Sequence, residues 1–341
     1  FPTRRASDLL ASRFKIMSNL DIAERRLPQD GRMRVRVSGK DFDLRVSVLP
    51  TVHGEKIVLR VLDKTNLSAS IDKLGLDPET FKQFKSAIDA PHGLILVTGP
   101  TGSGKTTTLY SALNELNNSV YNIITVEDPV EFQIPGINQV PTKKDIGLSF
   151  ASALRSILRQ DPDIIMIGEI RDTETAEIAI EAALTGHQVL STMHCNDAPG
   201  AIARLDDMGI APFLISSSVI LSCAQRLLRR ICSHCKEPVT YPAKMFEDLD
   251  IDPATFDNVQ LFRGRGCDRC KNSGYAGRMA IIEVMAMSDQ IRKLIIARSS
   301  TREMAKVAIN QGMRTLRMVG LDRARDGVST LEQVMLGTSG H

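Results

Sequence analysis

The chain has 341 residues, with 43 Lys and Arg against 40 Asp and Glu and only 4% aromatic residues, so it lacks the basic surface of a dedicated nucleic-acid-binding protein. Six cysteines in this length exclude a disulfide-rich secreted scaffold. No apolar run approaches the ~20 residues that cross a bilayer, and no signal peptide is visible. Since the first residue is Phe1, we expect a fragment of a longer protein.

The N-terminal part predicts a small α+β domain over residues 1–66. Apolar and polar residues alternate over residues 33–37 and 42–48, on either side of the turn Ser38-Gly39-Lys40. A period of two around a glycine turn indicates a β-hairpin with one buried face, and residues 57–62 predict a third strand. Residues 67–76 are interpreted as a linker.

A larger domain is predicted over residues 77–341. Asp77-Pro78 is a typical helix start, with the aspartate as cap and the proline in the first turn. From Gly93 onward, short apolar runs alternate with helical stretches, which is the pattern of a parallel sheet covered on both faces. The runs are residues 94–97, 123–126, 164–167 and 189–192.

Residues 99–106 fit the phosphate-binding pattern G-x-x-x-x-G-K-[ST], between an apolar strand and a predicted helix over 105–116. Glycines let backbone N–H groups turn toward phosphates, the lysine reaches the β- and γ-phosphates, and the next hydroxyl can bind Mg²⁺. Because a strand precedes the pattern and a helix follows it, a chance match is disfavoured. We predict an ATP site formed by Gly99, Pro100, Thr101, Gly102, Ser103, Gly104, Lys105, Thr106 and Thr107, with Thr106 as the Mg²⁺ ligand.

Acidic residues follow two of the predicted strands. Glu169 comes after residues 164–167, where an acid of a P-loop sheet orients or deprotonates the attacking water. Glu127 and Asp128 follow residues 123–126, at the edge where open α/β sheets bind ligands. For each of these carboxylates, a helix cap or a solvated turn residue remains the alternative.

Histidines and arginines near these motifs are weaker candidates. His187 and His194 flank the run at 189–192, where a role in sensing the nucleotide competes with an ordinary structural role. Four arginines, taken alone, are more simply solvated charges or ion-pair partners. They are Arg155 and Arg171 near Glu169, and Arg45 and Arg60 in the small domain.

Two Cys-x-x-Cys pairs lie in residues 229–278, an irregular stretch by its sequence. Cys232 and Cys235 precede Cys267 and Cys270. In a chain without a secretory signal, this arrangement predicts a structural Zn²⁺ held by four thiolates. Two disulfides or unliganded thiols remain the alternatives, and His234 could replace one cysteine. From Ser288 onward the pattern is helical.

The motifs, in this order, resemble those of the secretion-superfamily ATPases of type II secretion and type IV pilus assembly. Besides the Walker A loop and the cysteine module, residues 126–131 resemble the family's Asp box and residues 167–172 its Walker B motif. Residues 184–187 and 191–194 resemble its His box. The resemblance extends over essentially the whole chain.

The resemblance implies a RecA-like P-loop ATPase domain with a parallel central sheet, preceded by the small α+β domain. It implies a zinc subdomain over 229–278, a helical C-terminal region over 279–341 and a catalytic Glu169. It also implies that both histidines lie near the nucleotide, that Arg45 and Arg60 reach the phosphates, and that Arg155 and Arg171 support the active site.

Members of the family work as homohexamers on the cytoplasmic side of the inner membrane, together with a membrane platform protein. The cysteine module is typical of assembly and secretion ATPases, and retraction ATPases lack it. Residues 281–285 favour pilus assembly (PilB-like) over type II secretion. The family's membrane-recruiting N-terminal domain has no counterpart in these residues, so no docking surface is predicted.

Two other function classes compete with this interpretation. A nucleic-acid translocase needs basic grooves with stacking aromatic residues. The only dense basic run, residues 225–230, is more simply the C-terminus of a helix, which favours cations. A ring subunit that does not hydrolyse ATP is disfavoured because Lys105, Thr106 and Glu169 are all present.

Overall fold

The computed structural model describes residues 4–62, 71–248 and 251–338. The chain divides into two compact units, Phe1–Leu67 and Ser68–His341. Among the described residues, no helix has both the length and the apolar character needed to cross a membrane.

The smaller unit contains a helix and an antiparallel sheet in the order β1-β2-β3. Its elements are α1 (Arg4–Met17), β1 (Gln29–Val37), β2 (Lys40–Thr51) and β3 (Gly54–Leu62). The predicted hairpin is confirmed: Ser38 and Gly39 have φ values of 49° and 78° and join β1 to β2. The third strand starts at Gly54 rather than at residue 57. The buried face of the sheet contributes Met33, Leu44, Val46 and Val48 to the core.

Part of the segment predicted as a linker is packed structure. Residues 67–70 lie outside the described residues, but Ile71–Leu74 forms a 3₁₀ turn whose first and last side chains are buried. These two side chains are apolar, and the turn packs within the larger unit against the helix formed by residues 105–116. The next helix, α2 (Pro78–Ile88), begins as predicted, since the Asp77 carboxylate accepts a hydrogen bond from the Thr80 N–H at 3.1 Å.

The larger unit is a mixed α/β structure with a mostly parallel central sheet, as predicted. Its strands are β4 (Gly93–Thr98), β5 (Ile123–Glu127), β6 (Asn138–Pro141), β7 (Ile164–Ile167), β8 (Gln188–Met193), β9 (Val219–Ile231), β10 (Lys236–Val239), β11 (Leu261–Gly264) and β12 (Tyr275–Ala286). Seven strands form the sheet, in the order β12-β9-β4-β8-β7-β5-β6, and only β12 is antiparallel to its neighbour. The four predicted apolar runs are β4, β5, β7 and β8, and every residue in these strands is buried.

The larger unit contains further helices between and after these strands. They are α3 (Lys105–Leu116), α4 (Phe150–Ile157), α5 (Thr173–Leu184), α6 (Ala198–Asp207), α7 (Pro212–Ser218), α8 (Ala243–Asp248), α9 (Asp289–Ile296), α10 (Thr301–Asn310), α11 (Leu316–Arg325) and α12 (Leu331–Thr338). The helical pattern predicted from Ser288 is confirmed, because α9 to α12 follow this residue. The Ser288 hydroxyl accepts the Ile291 N–H at 3.3 Å and caps α9.

The basic run at residues 225–230 is not the end of a helix. It lies within β9, which pairs with β4 on one side and with β12 on the other. Tertiary pairing decides this assignment, since the run itself carries no strand signal. The stretch 229–278 is also less irregular than predicted: it contains the end of β9, the antiparallel pair β10 and β11, helix α8 between them, and the start of β12.

Candidate functional site

The phosphate-binding loop leaves β4 after Thr98 and enters α3 at Lys105. Gly99, Gly102 and Gly104 have φ values of 146°, 82° and 91°, a region that residues with a side chain rarely adopt. A Cβ atom on Gly99 would also lie 2.5 Å from the carbonyl oxygen of Gln225. The loop therefore needs glycine for both conformation and space, and it leads into a helix N-terminus, which favours anions.

Side chains of the loop differ in exposure. Ser103 is buried, and its N–H donates to the carbonyl oxygen of Pro100 at 3.2 Å. Thr101 and Thr106 are exposed, and Thr107 is half-buried. The Thr106 hydroxyl thus lies in the first turn of α3 where a ligand can reach it.

The Lys105 side chain folds against its own loop. Its ammonium group donates to the carbonyl oxygens of Gly99 at 2.6 Å and of Pro100 at 3.2 Å. Burial lowers the pKa of Lys105; the Glu169 carboxylate acts in the opposite direction, and the Arg226 guanidinium adds to the lowering. Lys105, Glu169 and Arg226 therefore interact electrostatically at the carboxyl end of β4.

Glu169 follows β7 at the same edge of the sheet, because the parallel strands β4, β7 and β8 all end there. One carboxylate oxygen lies 2.9 Å from Nε2 of His194, and the other accepts a hydrogen bond from Nε of Arg171 at 2.6 Å. The Glu169 side chain is only 13% exposed. The structure thus brings Lys105, Glu169, Arg171 and His194 to one edge of the sheet.

His187 lies at the opposite edge of the sheet. It precedes β8, and its carbonyl oxygen accepts the N–H of Gly93 at the start of β4. Its Nδ1 is 3.0 Å from the carbonyl oxygen of Ala182. The length of β8, ~20 Å for a strand of this size, therefore separates His187 from His194 within one chain.

Glu127, the last residue of β5, is buried with both carboxylate oxygens bonded inside the protein. One oxygen accepts from the Tyr110 hydroxyl, and the other accepts from Thr125 at 2.7 Å and from Gln139 at 3.0 Å. Burial, together with the Glu127 carboxylate, raises the pKa of Tyr110 far above its usual value. These bonds join β5 to α3 and β6, whereas the neighbouring Asp128 is exposed.

The remaining predicted arginines are Arg155 in the larger unit and Arg45 and Arg60 in the smaller unit. Arg155 on α4 forms an exposed ion pair with Glu174 at 2.6 Å. In the smaller unit, Arg45 on β2 and Arg60 on β3 are direct register partners. Their side chains therefore belong to the same face of that sheet.

Four cysteine sulfur atoms gather where β9 ends, within 4.8 Å of one another. The S···S separations are 3.9 Å between Cys232 and Cys267, 3.9 Å between Cys235 and Cys270, and 3.7 Å between Cys267 and Cys270. A tetrahedral zinc ion with Zn–S bonds of ~2.3 Å places its sulfur ligands ~3.8 Å apart, so the spacing fits. All four cysteines are free thiols, which argues against the disulfide alternative.

Backbone amides point at these sulfur atoms. The Gly266 N–H donates to Cys235 at 3.3 Å, and the N–H groups of Cys267 and Gly274 donate to Cys270 at 3.2 and 3.3 Å. Burial acts to raise the pKa of Cys270, but hydrogen bonds from the two amides and from the Cys267 and Cys235 side chains together outweigh it and lower that pKa to about 6. Such donors favour the thiolate, the form that binds metals. His234 is not part of this group and instead contacts Arg269.

Sequence reasoning missed two residues beside the phosphate-binding loop. Gln225, buried on β9, donates to the carbonyl oxygen of Ser103 at 2.9 Å and accepts the Thr108 hydroxyl at 2.7 Å. Arg226 donates to the carbonyl oxygen of Asn196 at 2.9 Å. No motif marks either residue, and the basic run that contains them was assigned to the wrong element.

Residues 2–336 match the family described as Type II/IV secretion system protein. The chain belongs to this family. The resemblance stated from the motifs is therefore confirmed, and the predicted enzyme class, a P-loop ATPase, agrees with it.

Two relatives illustrate the similarity. The type IV pilus assembly ATPase PilB of Myxococcus xanthus strain DK1622 is 54% identical over 340 residues, which make up 99% of this chain and 60% of the relative. The type II secretion system ATPase E of Vibrio cholerae strain El Tor Inaba N16961 is 49% identical over 334 residues, 98% of this chain and 66% of the relative. The chain thus spans less than two thirds of each relative's length.

Solved structures share the fold. The pilus retraction motor PilT with bound ADP superposes with a TM-score of 0.68 at 29% identity, covering 93% of this chain and 78% of that one. The Legionella pneumophila ATPase DotB gives a TM-score of 0.65 at 22% identity, covering 91% of this chain and 77% of that one.

Proposed function

We propose that this chain is the motor of a hexameric cytoplasmic ATPase that hydrolyses ATP to power type IV pilus assembly. The observation that carries the proposal is the convergence of Glu169 and Lys105 at one edge of the sheet, beside a loop whose backbone suits phosphate. An acid in this position can orient and deprotonate the attacking water.

In this proposal the backbone of residues 99–104 and the Lys105 ammonium group bind the phosphates, and Thr107 borders the site. The exposed Thr106 hydroxyl would hold Mg²⁺, which neutralises phosphate charge when bound. Glu169 takes a proton from the attacking water, while Arg171 and His194 hold its carboxylate in place. This makes His194, of the two histidines, the one that acts at this edge.

The acidic pair after β5 and three of the predicted arginines have supporting roles in this proposal. In this proposal the exposed Asp128 is the acid of its pair that contacts the ligand, whereas Glu127 holds β5 against α3. Arg155 supports the site from α4. Arg45 and Arg60 stabilise the negative charge that develops on the γ-phosphate oxygens during phosphoryl transfer.

We also propose that Cys232, Cys235, Cys267 and Cys270 hold a structural zinc ion. Support comes from the donor set, the S···S spacing and the amide groups directed at the sulfur atoms. Four protein ligands leave no open position on the metal, so its role is to fix the fold.

The pilus assembly assignment rests on the 54% identity to the Myxococcus relative against 49% for the Vibrio secretion ATPase. A type II secretion ATPase that drives pseudopilus assembly is the second candidate. Both imply a homohexamer and an inner-membrane platform protein as partner. A nucleic-acid translocase is a third candidate, and stimulation of ATPase activity by single-stranded DNA would favour it.

The test has two parts. Phosphate release by the purified chain, and its loss in Glu169→Gln, tests the ATPase. Deletion of the gene in its host, scored separately for surface pili and for secreted enzymes, decides between the two machines: loss of pili with normal secretion supports pilus assembly, and the reverse result overturns it.

A further inference from the structure

Gln225 bonds to the phosphate-binding loop and to the helix that follows it. Its side chain is 1% exposed. Nε2 donates to the carbonyl oxygen of Ser103 within the loop at 2.9 Å, and Oε1 accepts the hydroxyl of Thr108 in the first turn of α3 at 2.7 Å. A single side-chain amide thus fixes the loop and α3 relative to each other.

Two glycines of the loop pack against this residue. A Cβ atom on Gly104 would lie 2.7 Å from Nε2 of Gln225. A Cβ atom on Gly99 would lie 2.5 Å from the backbone carbonyl oxygen of Gln225. Strand pairing sets the position of Gln225, because Ala224 is the register partner of Thr98. The loop therefore packs against Gln225, and the pairing of β9 with β4 fixes the position of this residue.

We propose that Gln225 is a positioning residue for nucleotide binding: it holds the Ser103 peptide and the first turn of α3 in the phosphate-binding conformation before ATP arrives. The inference rests on the proposed ATP site. Donors that are already oriented need no rearrangement when the ligand binds, whereas a loop that becomes ordered on binding loses affinity. Gln225 acts through the loop and is not itself a catalytic residue.

The decisive experiment compares Gln225→Met with Gln188→Met. Methionine keeps the length of glutamine but forms no comparable hydrogen bonds. Gln188 is the matched control: it is also buried in the central sheet, and it also donates to backbone carbonyl groups, those of Ala87 and Ile88, but at the edge opposite the loop. Both variants lose buried hydrogen bonds, so both should unfold at a lower temperature.

Only Gln225→Met should lose nucleotide affinity. Titration of the folded variants with a fluorescent ATP analogue and Mg²⁺ should show a Kd raised about tenfold or more, the effect of leaving a buried carbonyl group unpaired within the loop. Gln188→Met should stay within about twofold of the wild type, as expected for a distant site. Thr108→Val should also weaken binding, and Thr108→Ser, which keeps the hydroxyl, should restore it.

Each other outcome is informative. If folded Gln225→Met binds the analogue as tightly as the wild type, the inference is wrong. Equal losses in both glutamine variants mean that general stability, and not loop position, sets the affinity. If Gln225→Met does not fold, the pair Thr108→Val and Thr108→Ser decides, and equal affinities in that pair overturn the inference. A wild-type chain that does not bind the analogue instead refutes the proposed function.

Discussion

Arg45 on β2 and Arg60 on β3 lie directly opposite each other in the antiparallel register of the smaller unit. Arg45 is also the register partner of Arg32 on β1, so a row of arginines crosses the sheet. Register partners project from the same face of an antiparallel sheet, so these guanidinium groups lie on one face of β1–β3. A row of positive charge of this kind suits an anion with several charges, such as a triphosphate, which is the partner proposed for Arg45 and Arg60.

We expect Arg45→Ala or Arg60→Ala to lower kcat at least about tenfold, because a guanidinium group that stabilises charge on the γ-phosphate is lost. ADP affinity should change little, since ADP lacks that phosphate. Steady-state ATPase assays, ADP titration and sizing of the same preparations measure both effects. Arg34→Ala is the matched control: Arg34 lies on β1 and pairs with Asp43 at 2.8 Å. An unchanged kcat in both test variants would refute the proposed role.

Lys105→Ala should abolish ATP binding. Lys105 is the only cationic side chain in residues 99–107, and its ammonium group lies within the loop. Equilibrium binding of a labelled nucleotide measures the loss. Lys85→Ala, which removes a lysine of α2 that pairs with Asp89 and with Glu115 of α3, should bind normally. Unchanged affinity in Lys105→Ala would contradict the assignment of the loop.

Glu169→Gln should keep ATP binding and lose hydrolysis, because the amide has nearly the same shape but is a much poorer base. The measurement is phosphate release at saturating ATP together with nucleotide affinity. The amide oxygen can still accept from Arg171, and the amide NH₂ can donate to an unprotonated Nε2 of His194, so the site should stay folded. Turnover within about twofold of the wild type would mean that another acid orients the water, and the exposed Asp128 would be tested next.

Glu127→Gln should reduce stability more than activity. The carboxylate accepts hydrogen bonds from Tyr110, Thr125 and Gln139. An amide has one acceptor oxygen fewer, so we expect the free energy of unfolding to fall by about 1–3 kcal/mol. Urea denaturation and kcat measured on folded protein separate the two effects. A large fall in kcat at unchanged stability would return Glu127 to the list of catalytic residues.

The purified chain should contain one zinc ion bound by the four cysteines. Thiolate ligation couples metal binding to folding, so Cys267→Ser should release zinc and destabilise the surrounding segment while leaving the phosphate-binding loop formed. Elemental analysis of freshly reduced protein gives the zinc content, and ATP binding reports on the loop. Cys195→Ser, at a cysteine outside the group, should retain the metal. Less than about half an equivalent of zinc in the wild type would count against the site.

Local signals in the sequence were sufficient for several features. The glycine-rich loop, the Asp77 cap and the alternating β1–β2 hairpin each depend on neighbouring residues and on their intrinsic backbone preferences. The spacing of the cysteine pairs likewise predicted which sulfur atoms come together. The buried parallel strands were recognisable because an apolar run covered on both faces has no polar alternation.

Only the tertiary structure decided which of the candidate residues share one edge of the sheet. His187 and His194 look equivalent in sequence, but the direction of β8 places them at opposite edges. Gln225 lies more than a hundred residues from the loop it contacts, as the 122-residue separation from Ser103 shows. The basic run around Gln225 became a strand because β4 and β12 pair with it, and such non-local pairing leaves no periodic signal in the chain itself.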